Sequence, residues 1–181
     1  MKTLSALVLF LLAGPALAGS WAEDKFGQWG TFDYDFDANQ KPWKEIEAQL
    51  PPLPKPAGLR ELDMGPAGGG HHYFVDVPSV TAASDGVVRY TVVIRTAGGA
   101  ENVNFEGMRC ATGEHKIYAF GHPDGSWSRN RYAAWQPVEA RRDGSYQKEL
   151  FFHYFCTVDG DADMKTIRRA LERGGIRRGG D

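Results

Sequence analysis

The sequence predicts an α+β fold, an antiparallel β-meander of four to five strands with C-terminal helices packed on it. Three observations carry this. Short runs of apolar and β-branched residues between positions 73 and 121 are separated by glycine- and proline-containing turns, as in antiparallel hairpins. Beyond residue 145 the apolar spacing changes to that of amphipathic helices. The chain's 181 residues, 42% hydrophobic and 12% aromatic, suffice to bury one core and are too few to suggest several domains.

The first element is a targeting segment. Lys2, an apolar run from Leu4 to Ala13, a Gly14-Pro15 break and the small-x-small sequence Ala16-Leu17-Ala18 predict a signal peptide cut after Ala18. The apolar run is too short for a membrane span. Export makes the compartment oxidising, so the two cysteines, Cys110 and Cys156, are expected to form a disulfide. Residues 19–40 hold Trp21, Phe26, Trp29, Phe32, Tyr34 and Phe36 without a helical period and read as an irregular arm. A short helix is expected over residues 41–50, with Trp43, Ile46 and Leu50 on one face, ended by Pro51-Pro52. Residues 51–58 carry four prolines and predict a stiff polyproline connector.

Residues 65–70 form a glycine-rich loop that lacks the spacing and the lysine of a phosphate cradle. A strand follows near residues 73–77. Residues 87–96 and 100–110 read as a hairpin joined at Gly98-Gly99 by a two-residue turn. With Ala97 facing Ala100, Ile94 lies opposite Val103 and Val92 opposite Phe105 on one face. The other face then holds Arg95 opposite Asn102, Val93 opposite Asn104 and Thr91 opposite Glu106. A third strand covers residues 115–121.

Residues 146–155 place Leu150, Phe151, Tyr154 and Phe155 at helical spacing, with Ser145 as the cap. A second helix over residues 161–173 starts with Asp161 and Asp163, buries Met164, Ile167 and Leu171, and stops at Gly174. The division is a signal peptide over 1–18, an aromatic and proline-rich arm over 19–58, one domain over 59–174 and a loose basic tail over 175–181.

The segments Leu50-Pro51-Pro52-Leu53-Pro54, Tyr73-Phe74-Val75-Asp76, Asn102-Val103-Asn104-Phe105-Glu106-Gly107-Met108-Arg109-Cys110 and Tyr154-Phe155-Cys156 resemble the cryptic neisserial protein-like family of bacterial exported proteins. The resemblance spans about residues 42–172. It implies an envelope location and carries no reaction with it.

A formal net charge of −2 argues against nucleic acid as a partner. Neither Gly-x-Ser-x-Gly nor His-Glu-x-x-His occurs. Asp33, Asp35 and Asp37 share one side of an extended arm and read as a solvated acidic face. His71, His72, His115, His122 and His153 lack metal-ligand spacing. No cofactor, metal or catalytic residue is assigned. The polar strand face formed by Arg89, Arg95, Asn102, Asn104 and Glu106 is the expected binding surface, suited to a glycan or an extended peptide. The expected function is therefore non-catalytic binding or envelope maintenance in the periplasm, with an envelope glycan or protein as partner. An envelope-polymer hydrolase with an acidic pair is the second reading, and metal handling the third.

Overall fold

A computed structural model describes residues 42–141 and 144–175; the predicted signal peptide, most of the aromatic arm and nearly all of the basic tail lie outside them. Among the described residues, seven antiparallel strands form one sheet. They are β1 (Leu59–Glu61), β2 (His72–Ala82), β3 (Val87–Arg95), β4 (Glu101–Arg109), β5 (Glu114–Gly121), β6 (Trp127–Arg129) and β7 (Gln136–Pro137). Strands β1 to β6 are neighbours in chain order, and β7 pairs with β5 beside β6. The α+β class is as expected. The strand count exceeds the expected four to five because β1, β6 and β7 are only two or three residues long, too short for an alternating pattern to show.

The β3–β4 hairpin has a different register from the one expected. Thr96 and Ala100 face each other, and Ala97, Gly98 and Gly99 form a three-residue loop with Gly99 at φ +84°. A type I turn followed by a left-handed glycine makes such a loop, and its one extra residue shifts every pairing. Tyr90 now faces Glu106, Val92 faces Asn104 and Ile94 faces Asn102 on one side. Arg89 faces Gly107, Thr91 faces Phe105 and Val93 faces Val103 on the other.

The first of these faces is covered by helices. Helix α1 (Tyr146–Glu149) is capped by the Ser145 hydroxyl, which accepts the Lys148 amide, and it widens into a π-helical segment over Leu150–Phe155. Helix α2 (Met164–Arg173) ends at left-handed Gly174 as expected, but begins three residues later than the expected 161, because the Asp163 side chain accepts the Thr166 amide as the N-cap. Leu150, Tyr154, Phe155, Ile167 and Leu171 pack with Val75, Val88, Tyr90, Val92 and Met108. The Cys110–Cys156 disulfide ties the end of β4 to the end of the π-helical segment. Cys110 and Met108 share this helix-covered face with Asn104; Val93, expected opposite Asn104, is on the other one.

The second face is covered by the chain itself. Residues 43–54 cross it without forming the helix expected over 41–50. Their backbone groups find partners elsewhere: Asp85 Oδ2 accepts the Ile46 amide at 2.9 Å, and Arg89 donates to the Ile46 carbonyl at 2.6 Å. Ala48 and Leu50 pack with Phe105, Tyr118, Ala119, Trp127 and Trp135. Gly107 makes room for this layer, since a Cβ there would lie 2.5 Å from the Tyr118 hydroxyl.

The bridged cysteines are 46 positions apart. A crosslink closing a loop of that size stabilises a domain by about 4 kcal/mol in the chain-entropy model. Cys156→Ser is expected to lower the urea unfolding free energy by roughly that amount and to open the Phe151–Phe155 region to protease. Alkylation of the native protein without reductant should label no thiol; two labelled cysteines contradict the bridge.

Candidate ligand-binding site

The register distributes the five residues of the expected polar surface over both faces of the sheet. Asn102, Asn104 and Glu106 are on the helix-covered face, and Arg89 and Arg95 on the other. Glu106, Asn104 and Arg89 are buried. Arg95 is exposed, paired with Glu101 at 3.0 Å and stacked over Phe74. The five therefore form no common surface.

Under the helices, Glu106 is fully buried and receives hydrogen bonds from Tyr90, Tyr146 and the Asn104 amide. Burial pushes its carboxyl above the usual range, and these three bonds offset that only in part. Nearby, Arg141 Nε donates to His115 Nε2 at 2.8 Å. This contact requires a neutral His115 ring with its proton on Nδ1, which finds no partner. Burial, then the adjacent guanidinium, push the His115 pKa down to about 4.

On the opposite face the strap of residues 43–54 is held by two charged groups. Asp85 and Arg89 form a buried ion pair at 2.7 Å that also binds the Ile46 backbone. Burial alone raises the Asp85 pKa, but the bonds from Arg89, Ile46 and Val87 outweigh it and hold the carboxyl below its ordinary value. Glu45 accepts from Tyr118, Lys116 and Trp135, and these bonds likewise overcome the effect of burial. Trp43 lies under the Arg109 guanidinium, 4.0 Å from it, and donates to the Asp85 carbonyl.

Beyond the strap lies a pocket of about 520 Å³. Pro51, Pro52 and Leu53 form one wall, Ala57 and Gly58 the turn into β1, and Pro78 and Ser79 the bulge of β2. The pairing of β2 with β3 is interrupted between Asp76 and Thr81, where Pro78 can offer no amide to a ladder. Ser79 closes the bulge: its hydroxyl donates to the Asp76 carbonyl at 2.7 Å and accepts the Thr91 amide at 2.8 Å. Asp76, only 5% exposed, is one of the residues lining the pocket, and its Oδ1 lies 2.6 Å from where a Cβ on Gly58, another lining residue, would stand. Gly58 thus lets the β1 turn approach the acid. Burial raises the Asp76 pKa, and hydrogen bonding by Ser79 offsets that only partly. The Thr91 hydroxyl, opposite Asp76 in the ladder, is buried without a partner.

Asp76 is the buried carboxyl that differs in kind. Asp85 has Arg89, Glu45 has Lys116, and Glu106 has a closed set of three donors. Asp76 has no lysine or arginine within ion-pair distance among the described residues, and it faces a cavity. The sequence did carry a signal for it, the proline inside a strand at Pro78, which marks a bulge.

The histidines do not gather. Among the described residues, no three histidine, cysteine or carboxylate side chains stand close enough to hold a metal ion. Ser145 and Lys148 have the Ser-x-x-Lys spacing of some acyl-transfer enzymes. Here the serine is a helix cap, and the lysine ammonium is directed to Glu139 at 4.0 Å.

The model of the CNP1-like family matches residues 38–172, which include the strap, the whole sheet and nearly all of α2. The chain belongs to the CNP1-like family. Cryptic neisserial protein 1 of Neisseria gonorrhoeae (strain ATCC 700825 / FA 1090) is 26% identical over a 194-residue alignment covering 97% of this chain and 95% of that protein. No solved structure matches the chain. The family match thus takes in every residue that lines the pocket of this CNP1-like protein.

The buried histidine gives a pH dependence of stability. Its pKa is lower folded than unfolded, so between about 6.5 and about 4 the unfolded chain binds the extra proton. Stability from this group is complete above pH 6.5 and is lost as pH falls toward 4. From pH 7 to pH 5 the loss is about 2 kcal/mol. His115→Gln, which keeps an acceptor for Arg141, should show a correspondingly smaller drop in urea unfolding free energy between those two pH values; an unchanged drop assigns it to other groups.

Proposed function

We propose that this CNP1-like protein is an exported periplasmic binding protein, and that the pocket beside Asp76 is where it binds a small, mostly apolar molecule. The single observation that carries this is a cavity with apolar walls and one buried carboxyl at its lining. Such a combination of apolar enclosure and few polar groups is what small-molecule sites share, and about 520 Å³ falls within their usual size range. The polar clusters elsewhere are engaged in holding the fold together. Glu106 is enclosed, Asp85 fastens the strap, and Glu45, which lines a smaller pocket, is already bonded to Lys116, Tyr118 and Trp135. Export is supported by the sequence features of residues 1–18, and the disulfide suits an oxidising compartment. No described helix is long and apolar enough to cross a membrane.

Ala57 lies on the pocket wall and is exposed. In a screen of small apolar fragments by protein-detected NMR, shifts should cluster on Leu53, Gly58, Asp76 and Ser79. Ala57→Trp should fill the cavity and abolish those shifts while leaving the melting temperature within about 2 °C of wild type. Fragments that shift other regions, or that bind the Trp variant equally well, place the site elsewhere.

A further inference from the structure

We infer that the pocket beside Asp76 takes a primary ammonium group carried on an apolar body. The inference rests on the binding reading above and specifies its ligand class.

A carboxylate removed from water costs several kcal/mol unless a cation or several donors compensate it. Asp85 shows the usual solution in this fold, a guanidinium at 2.7 Å. Arg89, two residues along β3 from Thr91, cannot serve Asp76 as well, because its terminal nitrogens are committed to Asp85 and Ile46. Asp76 has Ser79 as its donor, and burial keeps its pKa raised in spite of it. The pocket's lining includes one cation, Lys55, which is exposed and beyond ion-pair distance of the carboxyl. A cation entering the pocket would supply the positive charge that no described neighbour supplies.

The walls say what carries that charge. Pro51, Pro52, Leu53, Ala57 and Pro78 present ring methylenes and methyl groups, with no aromatic face for a sugar or a base to stack on. Prolines have little conformational freedom to lose when a ligand binds, so the cavity is preformed. An ammonium offers three donors to a carboxylate and to the neighbouring Ser79 oxygen, whereas a carboxylate ligand would meet like charge. A free aliphatic amine and a lysine side chain share this chemistry.

Full-length mature protein can be titrated, with NMR detection at pH 7, against n-hexylammonium, N-acetyl-lysine amide, 1-hexanol and hexanoate. The expected result is binding of at least one of the two amines, with 1-hexanol at least about tenfold weaker and hexanoate silent. The tighter amine then tells whether the ligand is a free amine or a lysyl side chain. Asp76→Asn should reduce the amine affinity at least about tenfold, to the level of hexanol. The wild-type comparison of amine with alcohol stands even if Asp76→Asn fails to fold. Equal binding of hexylammonium and hexanol, or an Asp76→Asn protein that folds and binds the amine as wild type does, overturns the ammonium assignment and leaves the binding reading in place. No binding by any probe, together with an empty fragment screen, removes both.

Discussion

The three-residue loop at Ala97, Gly98 and Gly99 fixes the rest of the structure. By setting Thr96 against Ala100, it decides which side chains of β3 and β4 share a face. With this register both faces bear large buried groups, Tyr90, Val92 and Met108 on one and Thr91, Val93 and Phe105 on the other. A sheet of that kind needs two covers, because either face left in water would expose apolar surface worth roughly 1.5–3 kcal/mol per large side chain. One cover is helical and crosslinked by the disulfide. The other is the strap, which has no regular structure of its own.

The two covers are held by different physics. The helical side is closed by apolar packing around a small polar centre, whose fully buried carboxyl, Glu106, is satisfied by neutral donors. The strap side is closed by charge. Asp85 accepts the Ile46 amide, Arg89 donates to the Ile46 carbonyl, and Glu45 accepts from Lys116 and Tyr118. The pocket follows from this arrangement. Where the strap turns into β1, Pro51, Pro52 and Leu53 wall the pocket, Gly58 brings the backbone close to Asp76, and the β2 bulge interrupts the ladder beside it.

How far the sequence reveals this varies with the range of the interactions. Helix α2 is legible almost to the residue, because Asp163, the apolar spacing and Gly174 are all local signals. The disulfide is expected from two cysteines and a predicted signal peptide. The hairpin is legible but its register is not: Gly98-Gly99 suits a two-residue turn and a three-residue loop equally. The run from Val92 to Ile94 is apolar in either alternation, so the usual sorting of faces cannot discriminate. Hence Arg89, Asn104 and Glu106 look like a solvated polar face in sequence and are buried partners in the structure. The strap is not legible at all, since its partners are 39 and 43 residues away and are side chains bonding to backbone. Asp76 goes unnoticed for the same reason: its surroundings are assembled from the strap, the β1 turn and the β2 bulge.

The central claim is that the strap is a structural cover, as firmly held as the strands it crosses. Hydrogen exchange at the Ile46 amide tests it directly, because that proton is donated to the buried Asp85 carboxylate from a segment with no secondary structure. The account predicts protection of Ile46 within about tenfold of that of Val92 in the core of β3. Exchange of Ile46 at the rate of an unstructured peptide, while Val92 remains protected, contradicts it.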